Sequence, residues 1–230
     1  MLSRSKFSDN LSSQHLFLLE NISVSYTDKK QPVLQGLHLS IGLGEIVFVS
    51  GVSGSGKSTF LNLLAGDLKK YQGRLIVSNG LKSRVTRVYQ ELLLLEELTA
   101  RQNLDLVYDS RIHNSKKEFE QEFLELCSIL NVSHNLNFKI RNLSSGIRQK
   151  FAIIRALLLK PKAILADDPS SRLDQESADK VYELFAFYNR KRDMTVIWTS
   201  SNQELIKRYP GRLLHLDKGR MVYSGHSCFI

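Results

Sequence analysis

The stretch Glu45–Gly66, "EIVFVSGVSGSGKSTFLNLLAG", decides the fold of this chain. An apolar run, a loop rich in glycine and serine, and a second apolar segment predict a strand, a tight turn and a helix in that order. The loop fits the pattern G-x-x-x-x-G-K-[ST], with Gly51, Gly56, Lys57 and Ser58 at its fixed positions. Glycines let backbone N–H groups converge on phosphate oxygens, lysine adds a positive charge, and the serine hydroxyl can ligate Mg²⁺. A chance Gly/Ser turn is the alternative, but the strand and helix around the loop favour a phosphate-binding loop.

Composition limits the class of protein. The chain has 230 residues, 42% of them hydrophobic and 24% charged, which suits one large globular domain. Its formal net charge of +9 fits phosphate-bearing partners such as nucleotides, nucleic acid or an anionic membrane, although charge alone also suits an ordinary basic protein. Cys127 and Cys228 have no metal-ligand spacing, so neither a disulfide framework nor a zinc site is indicated. No apolar run approaches the roughly 20 residues needed to span a bilayer, and the N-terminus lacks the apolar core of a signal peptide.

The pattern along the chain predicts a polar, flexible tail over residues 1–15 and a single domain over 16–230. The domain begins with strands, continues with a helical region at about 91–145, and ends with alternating strands and helices. Within the helical region, "SKKEFEQEFLELCSILNV" repeats apolar residues at helical spacing. This segment is predicted to be an amphipathic helix with Cys127 packed in the core.

Two carboxylates follow a later apolar run in "AILADDPSSRLD", Ala163–Asp174. Continuous apolar residues are typical of a central parallel strand, whose end places Asp167 in a crevice. In proteins with a phosphate-binding loop, an acidic residue at the end of a second strand completes the Mg²⁺ site. An ordinary strand that ends in a polar turn is the alternative, because Asp-Pro and Ser are common turn residues.

About twenty residues before this acidic pair lies "LSSGIRQK", Leu143–Lys150, which resembles the signature motif of ATP-binding cassette (ABC) ATPases. Tyr26 is placed like the aromatic A-loop residue of that family, Gln90 like its Q-loop residue, and "SSRLD" like its D-loop. The motifs occur in the family's order, and the resemblance covers residues 17 to about 225. It implies an α/β P-loop NTPase with a mixed-sheet core, an antiparallel β subdomain and a helical signature subdomain.

The resemblance also implies the ligands, ATP and Mg²⁺. In this family two cassettes sandwich two ATP molecules, each held by the P-loop of one subunit and the signature motif of the other, so Ser144 and Gly146 are expected to act on the partner's nucleotide. The residues expected to bind the nucleotide are Tyr26, Gly51, Val52, Ser53, Gly54, Ser55, Gly56, Lys57, Ser58, Thr59, Ser144, Gly146 and Asp174. The expected Mg²⁺ ligands are Ser58, Gln90 and Asp167.

The chain departs from the family at several places in the active site. Asp168 stands at the catalytic glutamate and is one methylene shorter, and a displacement of about 1 Å can cost on the order of a hundredfold in rate. Ser201 stands where a histidine normally contacts the γ-phosphate, and a serine hydroxyl carries no positive charge. In the signature, Ser145 replaces a glycine and Ile147 replaces Gln or Glu. With Asp168, Gln90 and Ser201 as the catalytic set, we predict slow hydrolysis, or ATP binding without useful turnover.

The segments "LLLLEELTARQNL" and "RYPGRLLHLDKGR" resemble the group of cassettes that includes the cell-division ATPase FtsE and the lipoprotein-export and macrolide-export ATPases, and the second leans towards FtsE. This implies a cytoplasmic subunit on the inner face of the inner membrane, forming a homodimer and binding a polytopic membrane protein, either FtsX-like or an exporter permease. Contact with the membrane is expected only through that partner. Gln90–Thr99 would form the coupling surface, with Leu92–Leu95 either receiving a partner helix or packing in the core.

Two other classes of function stay open from the sequence. One is a catalytically impaired cassette that serves as a nucleotide-gated binding module, which measured turnover distinguishes from an ATPase. The other is an ATPase acting on nucleic acid or ribosomes, which the charge permits. Such families usually fuse two cassettes or insert a long coiled coil, so no nucleic-acid partner is expected.

Overall fold

The computed structural model describes residues 15–26, 31–78 and 84–226. Most of the predicted N-terminal tail therefore lies outside the described residues. The strands are β1 (His15–Val24), β2 (Leu34–Gly42), β3 (Ile46–Ser50), β4 (Gln72–Val77), β5 (Val85–Val88), β6 (Ala163–Asp167), β7 (Thr195–Ser200), β8 (Arg212–Asp217) and β9 (Arg220–His226). The α-helices are α1 (Lys57–Ala65), α2 (Ala100–Asp105), α3 (Lys116–Ile129), α4 (Ser145–Leu158), α5 (Gln175–Arg192) and α6 (Gln203–Lys207).

The strands form two sheets. A three-stranded antiparallel sheet has the order β2-β1-β4, and a six-stranded sheet has the order β5-β6-β7-β3-β8-β9. The second sheet is parallel except for the antiparallel β8–β9 pair. Mixed and antiparallel sheets were both predicted, and both are present. The first sheet starts at His15, which pairs with Gly42, one residue before the predicted start of the domain.

The central strands explain where a site can form. Every residue of β6 and β7 is buried, as expected for strands covered on both faces. Because β3, β6 and β7 run parallel, their carboxyl ends lie at one edge of the sheet, where ligands bind in open α/β sheets. The P-loop follows β3, the acidic pair follows β6, and Ser201 follows β7, so the sheet brings three distant segments together.

The core has two parts. One packs α1 between the two sheets, and the other packs the remaining helices against the opposite face of the large sheet. Trp198, the only tryptophan, is fully buried on β7 against Phe48 and Phe185. Its indole Nε1 has no hydrogen-bond partner among the described residues.

The helical region follows the predicted pattern of apolar residues. Helix α3 buries Phe119, Phe123, Leu126 and Cys127, and burial raises the pKa of the Cys127 thiol to about 12. Cys127 is therefore an inert core residue, as predicted. Thr99 caps helix α2 and forms a reciprocal capping box with Gln102. Among the described residues, no helix is both long enough and apolar enough to cross a membrane.

Candidate functional site

The predicted phosphate loop lies between the last residue of β3 and the first residue of α1. Gly51 has φ 153, and a Cβ there would lie 2.4 Å from both the Leu216 carbonyl oxygen and Ser55 Oγ, so only glycine fits. Gly56 caps α1 without a side-chain hydrogen bond. The first N–H groups of α1 are therefore not capped by a side chain and can bind an anion.

Lys57 folds back over this loop. Its Nζ donates to the Gly51 carbonyl at 2.6 Å and to the Val52 carbonyl at 3.0 Å. Burial lowers the pKa of Lys57, and the charges of Asp168 and Asp167 act in the opposite direction. The lysine is thus held beside the acidic pair and within reach of the space above the loop.

That space is a pocket of about 340 Å³, which falls within the usual size range of ligand pockets. It brings together the P-loop, the Q-loop, the acidic pair and the end of β7. Its lining residues are Val33, Ser53, Gly54, Gly56, Lys57, Ser58, Thr59, Gln90, Asp167, Asp168 and Ser201. One lysine with helix N–H groups suits a polyphosphate, and one carboxylate beside a hydroxyl and an amide oxygen suits Mg²⁺. The side chains therefore fit Mg²⁺-ATP.

Hydroxyl groups on β7 hold the two carboxylates in different ways. Thr199 Oγ1 donates to Asp167 Oδ1 at 2.8 Å, and Asp167 is 7% exposed. The Asp168 N–H donates to both oxygens of Thr199 at 3.1 Å, and Ser200 Oγ donates to Asp168 Oδ1 at 3.4 Å. Neither hydroxyl was predicted from the sequence, although the polar end of "TVIWTSS" was a signal for them.

The surroundings of Asp168 shift its pKa. Burial raises the pKa of Asp168, and the neighbouring Asp167 raises it further. Lys57, the hydrogen bond from Ser200 and the charge of Arg172 act in the opposite direction. A carboxyl group with a raised pKa, held at the edge of a pocket, has the properties of a general base.

Tyr26, Ser144 and Asp174 were also predicted to bind the nucleotide, and none of them is among the residues that line the pocket. The Tyr26 hydroxyl lies 3.5 Å from Thr59 Oγ1, beside the first turn of α1. Ser144 caps α4 by accepting from the Ile147 N–H at 3.3 Å, and Asp174 caps α5 by accepting from the Ser177 N–H at 2.7 Å.

The hydrogen bonds from Ser177 lower the pKa of Asp174. Neither Ser144 nor Asp174 is among the residues that line the pocket of their own chain, and the same holds for Gly146. Within one chain, the first role of the two caps is therefore to start helices. Their role towards a nucleotide stays a prediction.

The four leucines of the Q-loop, Leu92–Leu95, were predicted either to receive a partner helix or to pack in the core. Leu92 is 7% exposed and Leu94 packs against the core, whereas Leu93 and Leu95 are each 53% exposed. Two of the four leucines thus stabilise the fold, and the other two remain available to a partner.

Comparison with known proteins agrees with this geometry. A family model described as "ABC transporter" matches residues 34–171. The lipoprotein-releasing ATP-binding protein LolD of Acinetobacter baylyi is 32% identical, over 86% of this chain and 92% of LolD. The methionine-import ATP-binding protein MetN of Clostridioides difficile is 32% identical, over 90% of this chain and 67% of MetN.

A solved dimer of the ATP-binding cassette MJ0796, in a post-hydrolysis state with ADP and Pi, is 28% identical and superimposes with a TM-score of 0.80. The match covers 93% of this chain and all of that chain. The fold predicted from the motifs is therefore confirmed. From the pocket, the order of the motifs and these relatives, we conclude that the chain belongs to the ABC transporter family, as an ATP-binding subunit that hydrolyses ATP with Mg²⁺.

Proposed function

We propose that this chain is a slowly hydrolysing ABC subunit that dimerises on ATP and changes the conformation of a membrane partner. The observation that supports this most is the convergence of Lys57, Asp167, Asp168 and Gln90 on one pocket. The MJ0796 cassette, whose match covers 93% of this chain, has been captured as a dimer. Ser144 and Gly146 of the signature do not line the pocket of their own chain, so a second chain is needed to bring a signature to each pocket.

The residues of the pocket divide the chemistry. Lys57 and the N–H groups of α1 bind phosphate oxygens, and Ser58, Gln90 and Asp167 would hold Mg²⁺, which would supply positive charge against the phosphates. Thr199 fixes Asp167 by donating to Oδ1, so this carboxylate is oriented for binding. Asp168 accepts the proton of the attacking water, because it lines the pocket and burial raises its pKa.

Slow turnover is proposed for two reasons. Asp168 is a shorter base than glutamate, and its main chain is fixed to Thr199, so it cannot advance towards the water. Ser201 lines the pocket without a group that could carry charge to the γ-phosphate. A catalytically impaired, nucleotide-gated module is the limiting case of the same proposal.

The partner is proposed to be a polytopic membrane protein, bound at the cytoplasmic face of the membrane through Leu93, Leu95 and their neighbours. Two candidates have separate support. The closing segment "RYPGRLLHLDKGR" favours an FtsX-like partner and a role in septal peptidoglycan hydrolysis, whereas identity over most of both chains favours a LolD-like exporter permease. Co-expression with each candidate tests them, because the true partner is expected to stimulate hydrolysis and the other is not.

The proposed function is tested first by nucleotide titration of Lys57→Ala. Loss of this cation is expected to abolish measurable Mg²⁺-ATP binding, because it is the lysine that reaches the phosphates from the P-loop. Lys180→Ala is a suitable control, since Lys180 pairs with Glu176 on the exposed side of α5. Undiminished ATP affinity in Lys57→Ala would show that the pocket is not the nucleotide site.

A further inference from the structure

The Q-loop has an uncommon backbone conformation, which side chains of other elements stabilise. Leu92 has φ 59 and Leu93 has φ 47, the left-handed region that branched side chains rarely adopt. Three carbonyl oxygens of this short segment accept hydrogen bonds from arginine side chains of other elements. Arg155 donates to Leu92 at 2.8 Å and to Leu93 at 2.6 Å, and Arg172 donates to Gln90 at 2.8 Å.

The two arginines differ in their surroundings. Arg155 lies in the last turn of α4, and burial lowers the pKa of its guanidinium, so it is part of the fixed scaffold. Arg172 lies in the D-loop, four residues after Asp168, and is exposed. Arg172 therefore links a short exposed loop to the residue that lines the pocket, whereas Arg155 secures the neighbouring part of the Q-loop to a helix.

The main chain of Arg172 makes a second link. A Cβ added at Gly146 would lie 2.8 Å from the Arg172 carbonyl oxygen, so the start of the signature helix packs directly on the D-loop. Ser145 and Arg172 also line one small groove between these segments. One residue thus contacts the signature through its backbone and the Q-loop through its side chain.

We propose that Arg172 is a positioning residue for hydrolysis, which holds the Q-loop so that Gln90 lies over the pocket. This inference builds on the role proposed for Gln90. Movement of the D-loop would then change the position of Gln90 over the pocket.

The first test uses Arg172→Met, Arg172→Lys and, as a control, Arg111→Met. Arg111 is also an exposed arginine, 88% accessible, and pairs with Asp109 away from the pocket. In nucleotide-free protein, Arg172→Met is expected to speed hydrogen exchange at Leu92 and Leu93, whose N–H groups donate to Tyr89 and Glu91. Arg172→Lys should lie between Arg172→Met and the unchanged protein, and Arg111→Met should match the unchanged protein.

The second test is kinetic. Arg172→Met is expected to lower kcat about tenfold or more while ATP affinity stays within about twofold, because only the positioning of Gln90 is lost. Arg172→Lys should restore part of kcat, because a lysine ammonium can also donate to the Gln90 carbonyl. In a Gln90→Ala background, Arg172→Met should add little, since the two residues act as a unit.

The outcomes separate the two proposals. Unchanged exchange at Leu92 and Leu93 in Arg172→Met would overturn the positioning role, and so would an unchanged kcat in a protein that binds and hydrolyses ATP. An equal fall in kcat for Arg111→Met would also overturn it, because the effect would then be general. If the unchanged protein neither binds nor hydrolyses ATP, the proposed function is wrong, and the role of Arg172 in hydrolysis is wrong with it.

Discussion

At the scale of the residue, Asp168 is held in a conformation that favours its own residue type. Its φ of 46 lies in the left-handed region, where aspartate and asparagine are several-fold enriched over other non-glycine residues. The short side chain and the backbone geometry therefore agree with each other. A glutamate at this position would gain reach towards the water and lose part of this backbone preference.

Replacing Asp168 by asparagine should raise the stability of the protein and abolish its activity. Because burial raises the pKa of Asp168, the folded state binds a proton more readily than the unfolded state, and stability falls as pH rises from the unfolded pKa through the folded pKa. Asp168→Asn removes this cost, so its melting temperature at neutral pH should exceed that of the unchanged protein, while turnover is lost. Thermal melts at pH 7 and at pH 3 check this, since the difference should shrink at the lower pH.

Replacing Asp167 and replacing Asp168 should have different effects on Mg²⁺-dependent ATP binding. Asp167→Asn is expected to weaken Mg²⁺-dependent ATP binding, because it removes the charge that Thr199 orients. Asp168→Asn should leave that binding nearly unchanged. Titrations with and without Mg²⁺ measure both effects, and equal losses in the two variants would contradict the division.

Introducing the residues usual in the family at positions 168 and 201 together is expected to raise the rate of hydrolysis more than either change alone. Asp168→Glu lengthens the base and Ser201→His supplies a chargeable ring at the edge of the pocket, and groups that act as a unit in catalysis are non-additive. Steady-state hydrolysis of the two single variants and the double variant measures the gain. A double variant that binds ATP but stays inactive would place the fault at Ser145 and Ile147 in the signature.

At the scale of the element, the start of α4 is fixed by its contact with the D-loop. The Gly146 position leaves no room for a side chain against the Arg172 carbonyl, and this close approach cannot be read from the sequence, because the two segments are distant along the chain. By contrast, the P-loop, the strand that carries Asp167 and the amphipathic helix α3 were all predictable. Each depends on a local pattern of glycines or apolar residues.

The contact predicts that Gly146→Ala is destabilising while Ser145→Ala is nearly neutral. An added methyl group must push the D-loop away, and such overpacking typically costs about 1–3 kcal/mol. Ser145 is exposed at the adjacent position and provides the matched control. Denaturant unfolding of both variants gives the comparison, and equal stabilities would show that the D-loop moves without cost.

At the scale of the whole molecule, the parallel sheet decides which distant segments meet. Because β3, β6 and β7 are neighbours in register, the P-loop, the acidic pair and Ser201 share one edge. The order of the motifs was enough to predict this arrangement. The arginine contacts to the Q-loop and the hydroxyl contacts from β7 were not predictable, since they depend on side-chain directions that no local pattern specifies.

The molecule as a whole should change its assembly with nucleotide. Asp168→Asn with Mg²⁺-ATP is expected to form dimers that last longer than those of the unchanged protein, because ATP that cannot be hydrolysed keeps each pocket closed against a partner signature. Light scattering after gel filtration measures the mass. Lys57→Ala should stay monomeric under the same conditions, and a dimer that ignores nucleotide in every variant would contradict the proposed cycle.

The buried Trp198 gives this protein an optical property. It is the only indole in the chain, and Phe48 and Phe185 shield it. It lies two residues before Ser200 on β7, the strand whose hydroxyl groups contact Asp167 and Asp168. Its fluorescence should therefore report one place in the molecule, with the short-wavelength emission of an apolar site. A shift in that emission as Mg²⁺-ATP is added would record the response of β7 directly, with no label attached.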